Sequence, residues 1–277
     1  MLDPRRQPIA VFDSGVGGLT VLHELLVSLP HEDFLYLGDT ARFPYGEKSQ
    51  EELRRLALGI ADHLLEADAK LVVVACNSTT AAALEALEAH VEGSEVDVVG
   101  VIAPAAQLAV EATRNGRIGL LATPTTVGSG AYGRAIAATD PHVNLLSVPC
   151  PDLAPIIQGG FPFDQRVVDT VRSYCAPLRE AEVDTVILGC THYPLVAPML
   201  QRMLGRGIEL VTSGAAAARR VEHALATRGL ESDREGEGDY RFLCTGDVEA
   251  FRTLGTRFLQ MPLLDVAQAE LELRAAA

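Results

Sequence analysis

Residues 72–80 read VVVACNSTT, an apolar run that breaks at once into a small polar cluster. Apolar side chains at successive rather than alternate positions mark a strand covered on both faces, as strands of parallel sheets are. Residues 186–194, VILGCTHYP, repeat the pattern 114 positions later. A second pair, IAVFDSG at 9–15 and IGLLATP at 118–124, lies 109 positions apart. In each member an apolar strand runs into small polar residues that open a helix. Two related α/β halves are the simplest explanation.

The alternation extends outward from these stretches along the whole chain. Short apolar runs at 9–12, 34–37, 71–75 and 96–102 read as buried strands, followed by others near 117–122, 143–147, 184–189 and 208–212. Helical stripes lie between them. The clearest covers 51–66, where Leu53, Leu56, Ala57, Ile60, Ala61 and Leu64 recur at helical spacing. Others fall near 126–138, 164–181 and 195–204, and a last helix–strand–helix occupies about 214–228, 240–244 and 247–259. Such βα alternation gives an α/β fold with parallel sheets. The proline-bearing IAPAA at 102–106 reads as a crossing between halves, and GLESDREGEGD at 229–239 as an acidic surface loop.

A length of 277 residues allows one or two domains. Asp and Glu outnumber Lys and Arg by 37 to 23, a net charge of −14, which disfavours a nucleic-acid binder that works by neutralising phosphates. No apolar run approaches the ~20 residues that span a bilayer, and the opening MLDPRRQP lacks the apolar core of a signal peptide. A cytoplasmic location is expected. Five scattered cysteines with no CxxC pair argue against a disulfide framework or a structural zinc site, and no metal is expected. Lys48 and Lys70 are the only lysines, and neither is well placed for the Schiff base of a pyridoxal phosphate enzyme.

Ligands of open parallel sheets bind beyond the carboxyl ends of the strands. Four clusters hold such positions: Asp13-Ser14-Gly15, Cys76-Asn77-Ser78, Thr123 with Thr125 and Thr126, and Cys190-Thr191-His192. If the first strand lies between the second and third, Asp13 and Cys76 end adjacent strands, about 4.8 Å apart. A carboxylate beside a thiol can take up or hold a proton. The equivalent neighbours in the second half are Thr123 and Cys190. Cysteine is commonly a core residue, and Cys150, Cys175 and Cys244 read that way. Cys76 and Cys190 differ because each closes a strand ahead of a helix N-terminus, where a thiol's pKa is lowered. His192 reads as an acid/base group through its nearness to Cys190. Asp13 suits a helix cap as well as a proton-handling role.

The cluster Gly15-Val16-Gly17-Gly18 falls short of a GxGxxG fingerprint, because Thr20 stands at the third glycine, although Asp39 follows at a tolerable distance. The turn is expected instead to offer backbone N–H groups to an anion. GDTARFPYGEKS at 38–49 reads as a loop whose backbone around Tyr45 and Gly46 closes over a ligand. Thiols from two facing halves would meet that ligand from opposite sides. Inverting a carbon that bears hydrogen needs a proton removed from one face and another delivered to the opposite face, a task two thiols can share. The surrounding hydroxyls, amide and helix N-termini favour a small anionic substrate.

FDSGVGGLTVL, GDTARFPYG, ACNSTTA and LGCTHYPL, in this order and spacing, closely resemble the cofactor-independent glutamate racemase family. The resemblance covers nearly the whole chain, including FLCTGDVEAF near the end. It implies two similar doubly wound α/β domains with parallel sheets, related by pseudo-twofold symmetry, with the active site in the cleft between them. The expected boundaries are 1–103 plus 214–277 for one domain and 104–213 for the other. It also implies interconversion of L- and D-glutamate without a cofactor, supplying D-glutamate for bacterial peptidoglycan. By motif match, Cys76 and Cys190 resemble the two proton donor/acceptors, the first acting on D-glutamate and the second on L-glutamate. Asp13 and His192 resemble the groups that assist them. Together with Asp13 and His192, the residues Ser14, Tyr45, Gly46, Asn77, Ser78, Thr123 and Thr191 match substrate-binding positions.

The partner implied is glutamate, with no nucleic acid and no membrane; a homodimer is left open. Three departures stand out. Ser78 replaces the usual threonine and keeps its hydroxyl, Ala103 and Ala105 stand where an acidic residue and glycine are common, and Gln158 stands where glutamate is frequent. The last removes an auxiliary carboxylate near the second cysteine. The alternatives are a racemase of the same superfamily acting on aspartate or a related derivative, a nucleotide-binding module using the glycine turn, and an acidic interaction protein.

Overall fold

The computed structural model describes residues 3–160 and 164–271. Its elements, in chain order, are β1 (Ile9–Asp13), α1 (Leu19–Ser28), β2 (Phe34–Gly38), α2 (Gln50–Glu66), β3 (Leu71–Val74), α3 (Asn77–Val91) and β4 (Asp97–Gly100). Then come α4 (Ile102–Ala112), β5 (Arg117–Ala122), α5 (Pro124–Ser129), α6 (Ala131–Thr139), β6 (Asn144–Pro149), α7 (Leu153–Gln158) and α8 (Gln165–Glu180). The chain continues through β7 (Thr185–Gly189), α9 (Ala197–Leu204), β8 (Glu209–Thr212), α10 (Ser213–Arg228), β9 (Tyr240–Cys244), α11 (Val248–Leu259) and β10 (Val266–Gln268). No helix of the described residues is long and apolar enough to cross a membrane.

The strands form two sheets, ordered β10-β9-β2-β1-β3-β4 and β6-β5-β7-β8, and all pairings are parallel. The order β2-β1-β3-β4 recurs as β6-β5-β7-β8, the same repeat that links IAVFDSG with IGLLATP and VVVACNSTT with VILGCTHYP. β1, β2, β3 and β7 are buried at every residue, which is why their sequences are unbroken apolar runs. β6, at a sheet edge, shows alternating exposure instead. The chain leaves the first sheet after β4 and returns after β8 through α10, which packs on α1, α4 and β4. One cluster of buried apolar side chains joins Val11 and Val73 under the first sheet to Val186 and Leu188 of the second, with Ala217, Val221 and Leu225 of α10 between.

Several expected elements shift. The run at 96–102 ends as a strand at Gly100, and IAPAA forms the first turn of α4. Pro104 is tolerated there because the first N–H groups of a helix have no intrahelical acceptor. The single helix expected at 126–138 is two, separated by Gly130, whose φ of 67° ends α5 and sets a new axis for α6. The six-residue α7 and the three-residue β10 carry too short a pattern to have been expected. The acidic stretch 229–239 is a surface loop held in part by Arg234, which pairs with Asp33 and Asp239.

Candidate active site

β1 lies between β2 and β3, and β5 between β6 and β7. Asp13 therefore ends a strand adjacent to the one that leads into Cys76, and Thr123 and Cys190 follow the paired ends Ala122 and Gly189. These four strand ends face one cleft of about 480 Å³, counting its mouth. Ser14, Tyr45, Gly46, Cys76, Asn77, Ser78, Thr123, Cys190, Thr191 and His192 all line it, with Phe43, Pro44, Pro151 and Pro155 as apolar wall. Of the expected residues only Asp13 is absent from the lining, being wholly buried just behind it.

Cys76 occupies the N-cap position of α3 and is nearly buried. Burial, and then the charge of Asp13, push its thiol up to about 11, against hydrogen bonding from the Thr79 N–H and from Ser14. Placement at a helix N-terminus is thus outweighed by desolvation, and the thiol is not acidic. Asp13 does not cap α1, whose N-cap is Gly18. Its Oδ2 accepts from the Gly15 N–H at 3.1 Å, and the N–H groups of Gly18 and Ser14 also point at the carboxylate. Burial still raises its pKa. The glycine turn, expected to bind a ligand anion, is spent on Asp13 instead.

The same glycines allow close approach rather than nucleotide binding. A Cβ on Gly17 would stand 2.3 Å from Thr191 Oγ1 and 2.4 Å from His192 Nδ1, and one on Gly18 would stand 2.4 Å from Asp13 Cβ. Asp39, the residue a ribose would need, is buried and already accepts from Arg42, Thr245 and the Tyr45 hydroxyl. The nucleotide-binding alternative has no room and no free acid at this turn.

Across the cleft, burial raises the Cys190 thiol far above its ordinary range, although the His192 N–H opposes the shift. His192 is wedged between Phe43 and Phe258, with ring centroids 5.4 and 5.1 Å away. Burial pushes its pKa down to about 3, so the ring is neutral near pH 7. Its Nε2–H donates to Gln158 Oε1 at 2.8 Å, which leaves the Nδ1 lone pair facing Cys190 Sγ at 4.0 Å and Thr191 Oγ1 at 3.5 Å. Gln158, noted as a departure, thus accepts the histidine's N–H hydrogen bond as a neutral group. Ala103 is exposed on α4 and Ala105 is buried beneath it, and neither lines the cleft.

Hydroxyls and one loop tie the two sheets together at the rim. Ser78 Oγ lies 2.9 Å from Thr123 Oγ1 and 3.2 Å from Thr126 Oγ1, in a closed triangle. The loop carrying Tyr45 and Gly46 is pinned by Thr125, whose hydroxyl donates to Gly46 O at 2.8 Å and Lys48 O at 3.1 Å. Thr79, Tyr132 and Ser213 escaped sequence reading. Thr79 alone carried a usable signal: it stands three residues after Cys76 at a helix start, where its N–H points at the sulfur. Tyr132 reaches the site only through tertiary packing, its hydroxyl donating to Asn77 Oδ1 at 2.7 Å.

With this geometry in view, the comparisons are consistent. The Asp/Glu/hydantoin racemase family profile matches residues 21–221. A glutamate racemase from Geobacter metallireducens is 43% identical over 264 residues, covering 95% of this chain and 97% of the relative. A crystal structure of a glutamate racemase isoform from Bacillus anthracis superposes with a TM-score of 0.92 at 34% identity, covering 98% of this chain and 100% of that one. The glutamate racemase from Francisella tularensis, crystallised with D-glutamate, gives 0.89 at 30% identity, covering 96% and 98%. Sequence, fold and comparisons agree that the chain belongs to the glutamate racemase family, within the Asp/Glu/hydantoin racemases.

Proposed function

We propose that the protein interconverts L- and D-glutamate by passing protons at the α-carbon between two thiols, Cys76 on one face and Cys190 on the other. One observation carries this reading: the two cysteines that close matching strands of the two sheets line the same cleft. From D-glutamate, a Cys76 thiolate takes the α-proton while the Cys190 thiol delivers its own to the opposite face. From L-glutamate the roles exchange. Asp13 lies close enough to raise the Cys76 pKa by its charge and takes up that thiol's proton, while the His192 Nδ1 lone pair does the same for Cys190. Desolvation favours the protonated form of both thiols, and the ammonium of a bound amino acid favours the thiolate by its charge. Charge that develops on the substrate carboxylate is met by donors fixed before the reaction begins, where the dry surroundings give them weight.

The two sheets are proposed to be two domains, 1–103 with 214–277 and 104–213, that close on the substrate; both outer ranges run beyond the described residues. The product D-glutamate would serve peptidoglycan synthesis in the cytoplasm, in keeping with the bacterial sources of the relatives. Incubation of the purified protein with L-glutamate in deuterated water, without added cofactor, is expected to yield D-glutamate carrying deuterium at the α-carbon. Cys76→Ala and Cys190→Ala are each expected to abolish turnover. Near-normal turnover in either variant would overturn the two-base reading.

A further inference from the structure

Asn77 opens α3 at the floor of the cleft with its side-chain amide buried and only half satisfied. Its Oδ1 accepts twice, from the Tyr132 hydroxyl at 2.7 Å and from Ser213 Oγ at 3.3 Å. Among the described residues its Nδ2 has no partner, although it is shielded from solvent. A buried amide N–H without an acceptor is costly, so the donor is held ready for something that enters the cleft. The two groups that hold it come from outside its own helix and sheet. Tyr132 lies on α6, packed among Ile118, Leu120, Ile136 and Ile187 around the second sheet. Ser213 is the first residue of α10, where the chain turns back from β8 toward the first sheet.

An amide can present either its oxygen or its nitrogen, and the two ends are similar in size. Turned the other way, Asn77 would give its carbonyl oxygen to the cleft, where it would repel a carboxylate. Each hydroxyl can donate or accept; donating to Oδ1, at 2.7 and 3.3 Å, the phenol and the serine favour the orientation that leaves Nδ2 to the cleft. We propose that Tyr132, assisted by Ser213, is a positioning residue: it locks the Asn77 amide so that Nδ2 donates to a carboxylate of the bound amino acid. Because the lock is made only when α6 and the start of α10 lie against α3, it also makes substrate binding depend on the docking of the two sheets. The inference rests on the proposed racemase reading and adds to it a means of recognising the substrate's carboxylate.

Steady-state racemisation of glutamate by the full chain tests it, with wild type, Tyr132→Phe, Asn77→Ala and the double variant side by side. Turnover by wild type is measured first; its absence would sink the racemase reading itself. Tyr132→Phe keeps the ring and its packing but loses the donor. It is expected to raise KM by about 5–20-fold and change kcat by less than about threefold, as when a contact present throughout the reaction is weakened. In the Asn77→Ala background the same substitution is expected to add no more than about twofold, because Tyr132 acts through Asn77. Ser213→Ala, which drops the more distant donor, is expected to raise KM about 2–4-fold and carries the same cycle if Tyr132→Phe does not fold. The proposal is overturned if KM in Tyr132→Phe stays within twofold of wild type, if kcat falls instead, or if the two penalties multiply in the double variant.

Discussion

Asp13, Cys76, Cys190 and His192 share one physical condition, which is removal from water without a neutralising partner. Each is held in its uncharged or proton-retaining direction by burial: the carboxyl and both thiols are raised, and the imidazole is lowered. His192 makes this measurable. Its folded pKa of about 3 lies below the ordinary 6.5. The stability gained by burying the neutral ring is therefore present above pH 6.5 and lost as pH falls through the folded value. Replacing His192 by Phe, which suits the gap between Phe43 and Phe258, should make the loss of unfolding free energy shallower between pH 6.5 and about pH 4. At roughly 1.4 kcal/mol per pH unit the difference approaches ~3 kcal/mol. Urea titrations of both proteins across that range check it; parallel curves would place the acid sensitivity elsewhere.

Elements meet at this site by their ends rather than their faces. β1, β3, β5 and β7 stop at the cleft, and the segments beyond them cross to the opposite sheet: Thr20 Oγ1 donates to Thr191 O at 2.9 Å, and Gly17 packs under His192. The loop before α2 crosses the other way and is clipped to α5 by Thr125. Thr125→Val removes the side-chain part of that clip while preserving shape, leaving only the Thr125 N–H on Gly46 O. It should raise the KM for glutamate about 3–10-fold with little loss of thermal stability, since a net hydrogen bond contributes about 1 kcal/mol. Initial-rate kinetics together with a melting curve separate that outcome from general destabilisation. An unchanged KM would show that the loop does not need the clip to close.

At the scale of the whole molecule, a buried ion pair fastens three distant parts of the chain. Lys70 Nζ lies 2.5 Å from Glu32 Oε2 and donates to Arg5 O at 2.6 Å and Leu230 O at 2.9 Å, while Glu32 Oε1 accepts from the Ser232 N–H at 2.8 Å. The N-terminal turn, the loop before β2 and the loop after α10 are thereby joined. Lys70→Met should cost about 3–5 kcal/mol, because it strands a buried carboxylate. Lys70→Met with Glu32→Leu should recover most of that loss. Denaturant unfolding of the two variants decides it, and a single variant as stable as wild type would show that the pair is not buried in solution.

Much of this was legible in the chain itself. Unbroken apolar runs gave nearly all the strands, and polar residues at their ends marked Cys76, Cys190, Thr123 and His192, because strand burial and strand ends leave their signature within ten residues. The roles of Gly17 and Tyr132 left no such trace. Gly17 is required by Thr191, which lies more than a hundred residues away, and Tyr132 matters only because folding brings its hydroxyl from α6, packed on α4, to the first residue of α3. Helix N-termini promised acidic thiols, yet Cys190 leads only into a four-residue 3-10 turn, Tyr193–Val196, and the cleft excludes water strongly enough to raise both thiols. Local pattern selects elements through short-range sterics and hydrophobic periodicity. Desolvation, close approach and the orientation of an amide depend on neighbours that only folding brings together.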